Sequence, residues 1–169
     1  MRITAKAALG AVLTAGAITA LVGCGAGQVN TTANEVSGVN GATGHLQQLN
    51  ILNATIAHPD GDAQGYQPGQ SAPLDFTITN AGGQSDKLVS ISAPAAKSVT
   101  LKGQTDIAGG TTLVATTSGG TDQRGRLTAT MEGLTTSVKP GPTVSVTFTF
   151  ARSGALTLPL PVGTPATSR

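Results

Sequence analysis

Beyond residue 45 apolar and polar side chains alternate with period two, most plainly where Val144, Val146, Phe148 and Phe150 are interleaved with Ser145, Thr147 and Thr149. Successive side chains of a strand point to opposite faces, so this pattern predicts one face in a core and the other in water. Leu74-Phe76-Ile78, Val89-Ile91-Ala93, Leu127-Ala129-Met131 and Leu156-Leu158-Leu160-Val162 read the same way, with Leu49-Ile51 and Val99-Leu101 as shorter candidates. Turn signals separate them: Pro68-Gly69, Ala81-Gly82-Gly83, Gly109-Gly110, Ser118-Gly119-Gly120 and Pro140-Gly141. In the last run Pro159 and Pro161 fall on the non-core alternates, where their missing N–H donors suit an edge strand. About seven short strands without helical periodicity predict an all-β fold, a cupredoxin-like or immunoglobulin-like β-sandwich.

The amino terminus follows another pattern. Arg2 and Lys6 precede an unbroken apolar and small-residue run from Ala7 to Val22, a basic n-region followed by an h-region. The run is shorter than the roughly 20 residues that cross a bilayer. It ends in Leu21-Val22-Gly23-Cys24, which resembles the lipobox of bacterial lipoproteins. That resemblance implies cleavage after Gly23 and a diacylglyceryl thioether on Cys24, anchoring the chain to the outer face of the cell membrane. A single cysteine cannot form a disulfide within the chain, so a lipid role accounts for it. Each buried methylene contributes about 0.8 kcal/mol, so two or three acyl chains hold durably where one does not. The expected organisation is a signal peptide over 1–23, lipidated Cys24 with a flexible tether over 24–44, a sandwich domain over 45–162 and a disordered tail over 163–169.

Processing removes the apparent basicity. The precursor carries ten basic and eight acidic residues, and loss of Arg2 and Lys6 leaves the mature chain neutral. With no Trp, one Tyr and three Phe it also lacks the stacking surfaces that single-stranded nucleic acid requires. Nucleic acid is therefore not an expected partner. The expected partners are the membrane, through lipid on Cys24, and a protein of the cell envelope.

Thr77-Ile78-Thr79-Asn80-Ala81-Gly82-Gly83, then Asp86-Lys87-Leu88-Val89 and Ser92-Ala93-Pro94-Ala95-Ala96, resemble the N-x-G, D-x-L-V and S-P-x-A signature of the PCu(A)C periplasmic copper chaperones. The resemblance continues through Gly133-Leu134, Gly141, Val144 to Phe150, Ser153-Gly154 and Pro161-Val162. It is also similar to mycobacterial LpqE-type lipoproteins, which carry such a domain behind a lipobox. What this implies is a compact cupredoxin-like sandwich. Members of the family hold Cu(I) with a His, a Met and a closing His-x-Met, soft and borderline donors suited to a soft cation. By motif matching, Lys102 stands where the first His belongs, and Thr128 and Thr130 where the closing His-x-Met belongs. Between His58 and Met131 the chain has no His, Met or Cys, so no shift of register restores that set. Neither copper nor another cofactor is expected at this position.

Other chemistry fares no better. An alternative copper set would have to draw on His45 at the end of the tether, His58 before Pro59, and Met131, whose place on an alternating face predicts core packing instead. Asp60-Gly61-Asp62-Ala63-Gln64-Gly65 copies the first half of an EF-hand loop, but its twelfth position is Ser71 rather than a bidentate Glu, so no calcium site is expected. Ser71, Ser85, Ser90 and Ser118 lack a G-x-S-x-G setting, and Cys24 is assigned to lipid. No catalytic residue is assigned and the chain is not expected to be an enzyme. The expected function is a non-catalytic binding or scaffolding module of the envelope, with a copper carrier using His45, His58 and Met131 as the alternative.

Overall fold

A computed structural model describes residues 41–59, 64–117 and 126–164. These residues form ten strands in chain order and no helix. They are β1 (Ala42–Leu46), β2 (Leu49–Ile56), β3 (Ala72–Asn80), β4 (Asp86–Ser92), β5 (Ala96–Gly103), β6 (Asp106–Ile107), β7 (Thr112–Ala115), β8 (Arg126–Leu134), β9 (Val144–Phe150) and β10 (Gly154–Leu160). One sheet has the order β1-β2-β3-β7-β8-β5, the other β10-β9-β4-β6. All neighbours are antiparallel except the short β7–β8 pairing.

The two inner faces make one core. Alternate residues of β3, from Ala72 through Leu74, Phe76 and Ile78 to Asn80, are all buried. They meet Val146, Phe148 and Phe150 of β9 and Leu127, Ala129 and Met131 of β8 in a single cluster. Phe76 and Phe148 pack edge to face with ring centroids 5.2 Å apart, the arrangement that sets a ring's positive edge against its partner's negative face. At the end of β10 the two sheets are joined: Ile56 N donates to Pro161 O at 2.9 Å, and Gly163 N donates to Ile56 O at 2.8 Å. Pro159 sits on β10, the outer strand of its sheet, where a residue without an N–H leaves no ladder bond unmade.

All seven predicted strands are present, and three more appear. β1 begins at Ala42, so the last residues assigned to the tether belong to the sheet, and the boundary of the sandwich moves from residue 45 to 42. Two of its three inward positions are the small Ala42 and Gly44, ahead of Leu46, and a Cβ added to Gly44 would lie 2.6 Å from the Leu158 side chain. Such close packing needs residues that carry no hydrophobic signal. The predicted tail loses Gly163 to the sheet junction in the same way. Val89 is corrected too: expected on the core face, it is 56% exposed. The register of β4 on β9 shifts between Leu88 and Ser90, a bulge that turns Leu88 and Ile91 inward instead.

Candidate functional site

The motif residues of β3 and β4 meet at one pole of the sandwich. Asn80 ends β3 and is almost fully buried. Its Nδ2 donates to Gln84 O at 2.7 Å and Ile107 O at 3.2 Å, while its Oδ1 accepts from Gly82 N at 3.0 Å. One short amide thus satisfies two backbone groups of the loop after β3 and one of β6. Gly109 lies flat against this loop, since a Cβ there would fall 2.6 Å from the carbonyl carbon of Gly83. The N-x-G signature is therefore a folding device.

Asp86 performs the matching task for the β9–β10 turn. Its carboxylate, 6% exposed, accepts from the backbone N–H of Lys87 at 2.7 Å, of Arg152 at 3.0 Å and of Ser153 at 3.0 Å, and from the Ser153 hydroxyl at 2.7 Å. Burial alone raises its pKa, but the Ser153 hydroxyl and the three backbone donors together hold it below the ordinary carboxylate value. Gly154 closes the turn at φ +91°, a conformation that favours glycine. Arg152 donates to the Gln84 side chain and, at 3.4 Å, to Ser85 O, while Gln47 Nε2 donates to Ser153 O at 3.1 Å. The result is an open cleft of about 220 Å³ whose charged groups, Asp86 and Arg152, are already engaged.

The positions matched to copper ligands lie elsewhere, on the edge strand β5 and its neighbour β8 in the six-stranded sheet. The β5–β8 register sets Lys102 opposite Thr128 and Thr100 opposite Thr130. Leu127, Ala129 and Met131 of β8 point into the core, so Thr128 and Thr130, with Lys102 across from them, share the outer face. The three positions are thus brought together, but by residues that do not fit Cu(I): an ammonium repels a cation, and hydroxyl oxygens are hard donors.

The alternative set does not assemble. His45 is exposed on β1, with Nδ1 2.8 Å from Asn50 Oδ1 near the start of β2, whereas His58 follows the far end of β2, with Nδ1 2.9 Å from Pro59 O. The six residue steps from Asn50 to Ile56 alone set them roughly 20 Å apart along the strand. Met131 is fully buried in the core, as its alternation predicts. A copper site from His45, His58 and Met131 is therefore corrected: the fold holds two of the three at opposite ends of a strand and turns the third inward. Among the described residues, no group of three or more His, Cys, Asp and Glu side chains is placed to hold a metal ion. Cys24, the signal segment and Asp60, Asp62 and Ser118 lie outside the described residues.

The roles of Asn80, Asp86 and Ser153 were not read from the sequence, although all three stand in quoted motifs. The available signal was an acidic residue opening an apolar strand, where only burial with dedicated donors is tolerable.

Solved structures with the same fold are PCuAC domains. The apo PCuAC domain from PmoF1 superposes with a TM-score of 0.59 at 15% identity, covering 73% of this chain and 99% of that one. The copper-bound PCuAC domain from PmoF2 gives 0.56 at 14% identity, covering 73% of this chain and 98% of that one. These likenesses establish the fold, an all-β, cupredoxin-like sandwich. Residues 51–162 match the family model described as "Putative lipoprotein LpqE-like", and the chain belongs to that LpqE-like family. No curated protein matches it.

Proposed function

We propose that this protein is a lipid-anchored, extracytoplasmic lipoprotein whose PCuAC-like sandwich acts as a non-catalytic binding or scaffolding module and not as a copper carrier. One observation carries the reading: the β5 and β8 positions matched to the copper ligands hold Lys102, Thr128 and Thr130 on one face. The lipobox-like Leu21-Val22-Gly23-Cys24 and the family's description support the anchor. Membrane attachment then rests on lipid, and the partner is a protein of the envelope.

The deciding experiment is a Cu(I) competition titration of the full chain beside a His45→Ala, His58→Ala, Met131→Ala variant. The expected result is no binding tighter than a weak chelator for either protein. Tight Cu(I) binding abolished in the variant would establish the copper-carrier alternative in its place. For the anchor, mass spectrometry of the membrane fraction should find a diacylglyceryl adduct on Cys24, with a Cys24→Ala chain left unprocessed or released. An unmodified, membrane-bound Cys24 would refute lipidation.

A further inference from the structure

β5 is the last strand of the six-stranded sheet, and its eight residues pair with β8 on one side only. Every second residue of such a strand turns its N–H and C=O away from the sheet, where they can pair with another extended chain. The core beneath this edge is incompletely covered. Val99 and Leu101 stand opposite the buried Met131 and Ala129, yet both remain only partly buried. β6, at the corresponding edge of the other sheet, has two residues and pairs only with Asp86 and Lys87.

Charge selects the occupant. Lys97 and Lys102, near the two ends of β5, are exposed, and the single ion pair among the described residues joins Lys87 to Asp106 instead. Glu132, on the neighbouring strand, is engaged by the Ser71 hydroxyl. β5 itself carries no acidic residue, so a second copy of it paired along this edge would leave both lysines without a counter-charge. An extended segment with carboxylates five residues apart would instead set one against each lysine while its backbone completes the ladder.

We propose that the outer edge of β5 is a strand-addition site for an extended acidic segment of a partner protein, docked antiparallel with carboxylates opposite Lys97 and Lys102. This deepens the binding-module reading by assigning it a surface and a partner chemistry. Backbone pairing supplies affinity that tolerates many sequences, and the two lysines set preference and register.

The test measures fluorescence anisotropy of a labelled peptide, Thr-Glu-Val-Thr-Val-Thr-Asp-Ser, titrated with the full chain in detergent. Two controls accompany it: the same peptide with Gln and Asn for its acids, and the acidic peptide N-methylated at alternate residues. The acidic peptide is expected to bind and the N-methylated one to fail. The neutral peptide, and a Lys97→Gln, Lys102→Gln variant given the acidic peptide, should each be weaker by roughly five- to tenfold. Binding should shift the β5 amide resonances in NMR spectra. Absence of binding, binding indifferent to N-methylation, or binding unchanged in the lysine variant would each overturn the proposal. Tight Cu(I) binding in the titration above would remove the non-copper reading and leave this edge site standing, so the two can fail separately.

Discussion

Two regions of one sandwich answer differently to the same family signature. At the pole where β3, β4, β9 and β10 turn, Asn80 and Asp86 together satisfy five backbone N–H or C=O groups besides binding Ser153, and the signature is intact. On the outer face of the β5–β8 pair, the positions matched to copper chemistry carry Lys102, Thr128 and Thr130. The difference separates what builds the fold from what the fold is used for. A buried carboxylate or amide that clamps a loop cannot be exchanged without leaving donors unpaired. An outward-facing strand residue can be exchanged freely so long as it tolerates a pleated surface, and threonine does so well.

That contrast can be broken from its stronger side first. Asp86→Ala should destabilise the chain by about 3 kcal/mol in denaturant unfolding, because four donors lose their acceptor inside the structure. A loss below about 0.5 kcal/mol would show that the turn does not depend on the clamp. Asn80→Ala should cost about 2 kcal/mol by the same measurement, its three neighbours being neutral groups.

The titration of Asp86 sharpens the comparison further. Its folded pKa lies below the unfolded value, so its contribution is fully present above the ordinary carboxylate pKa of about 3.9 and is lost as pH falls through the folded value. Thermal unfolding followed from pH 7 downward should show this acid loss, and the Asp86→Ala chain should show less of it. The β5–β8 pair supplies the smallest stability effect and the largest chemical one. Lys102→His, Thr128→His and Thr130→Met together should change stability by about 0.5 kcal/mol or less per site, while Cu(I) affinity rises measurably in the competition titration. Met131→Leu, a volume-conserving change in the core, should cost under about 1.5 kcal/mol and leave copper behaviour unchanged.

What could be read in the sequence follows the strength of each local pattern. β3 and β9 announce themselves because their inward positions hold large apolar residues at every second place. β7 was missed because four residues, Thr112-Leu113-Val114-Ala115, are too few to show a period. β1 shows no alternation because two of its three inward positions are Ala42 and Gly44, small where Leu158 lies close, which leaves Leu46 as a single apolar signal. Val89 misled because alternation presumes an unbroken register, and a bulge resets it. That no His, Met or Cys lies between His58 and Met131 is a matter of composition and needs no alignment. The clamps were present in the motifs, but their role was not. Only the meeting of Asp86 with Ser153 of the β9–β10 turn, 67 residues away, reveals it.

The proline of β10 sets a limit on growth. A filament built by adding strands needs an accepting edge and a donating edge on each copy. Pro159 makes β10 a poor donor, and β1 is five residues long with its pairing broken between Ala42 and Gly44. With β5 the remaining long edge, the strand addition proposed above would stop after one event, which would make the molecule a terminus for its partner and not a link in a polymer.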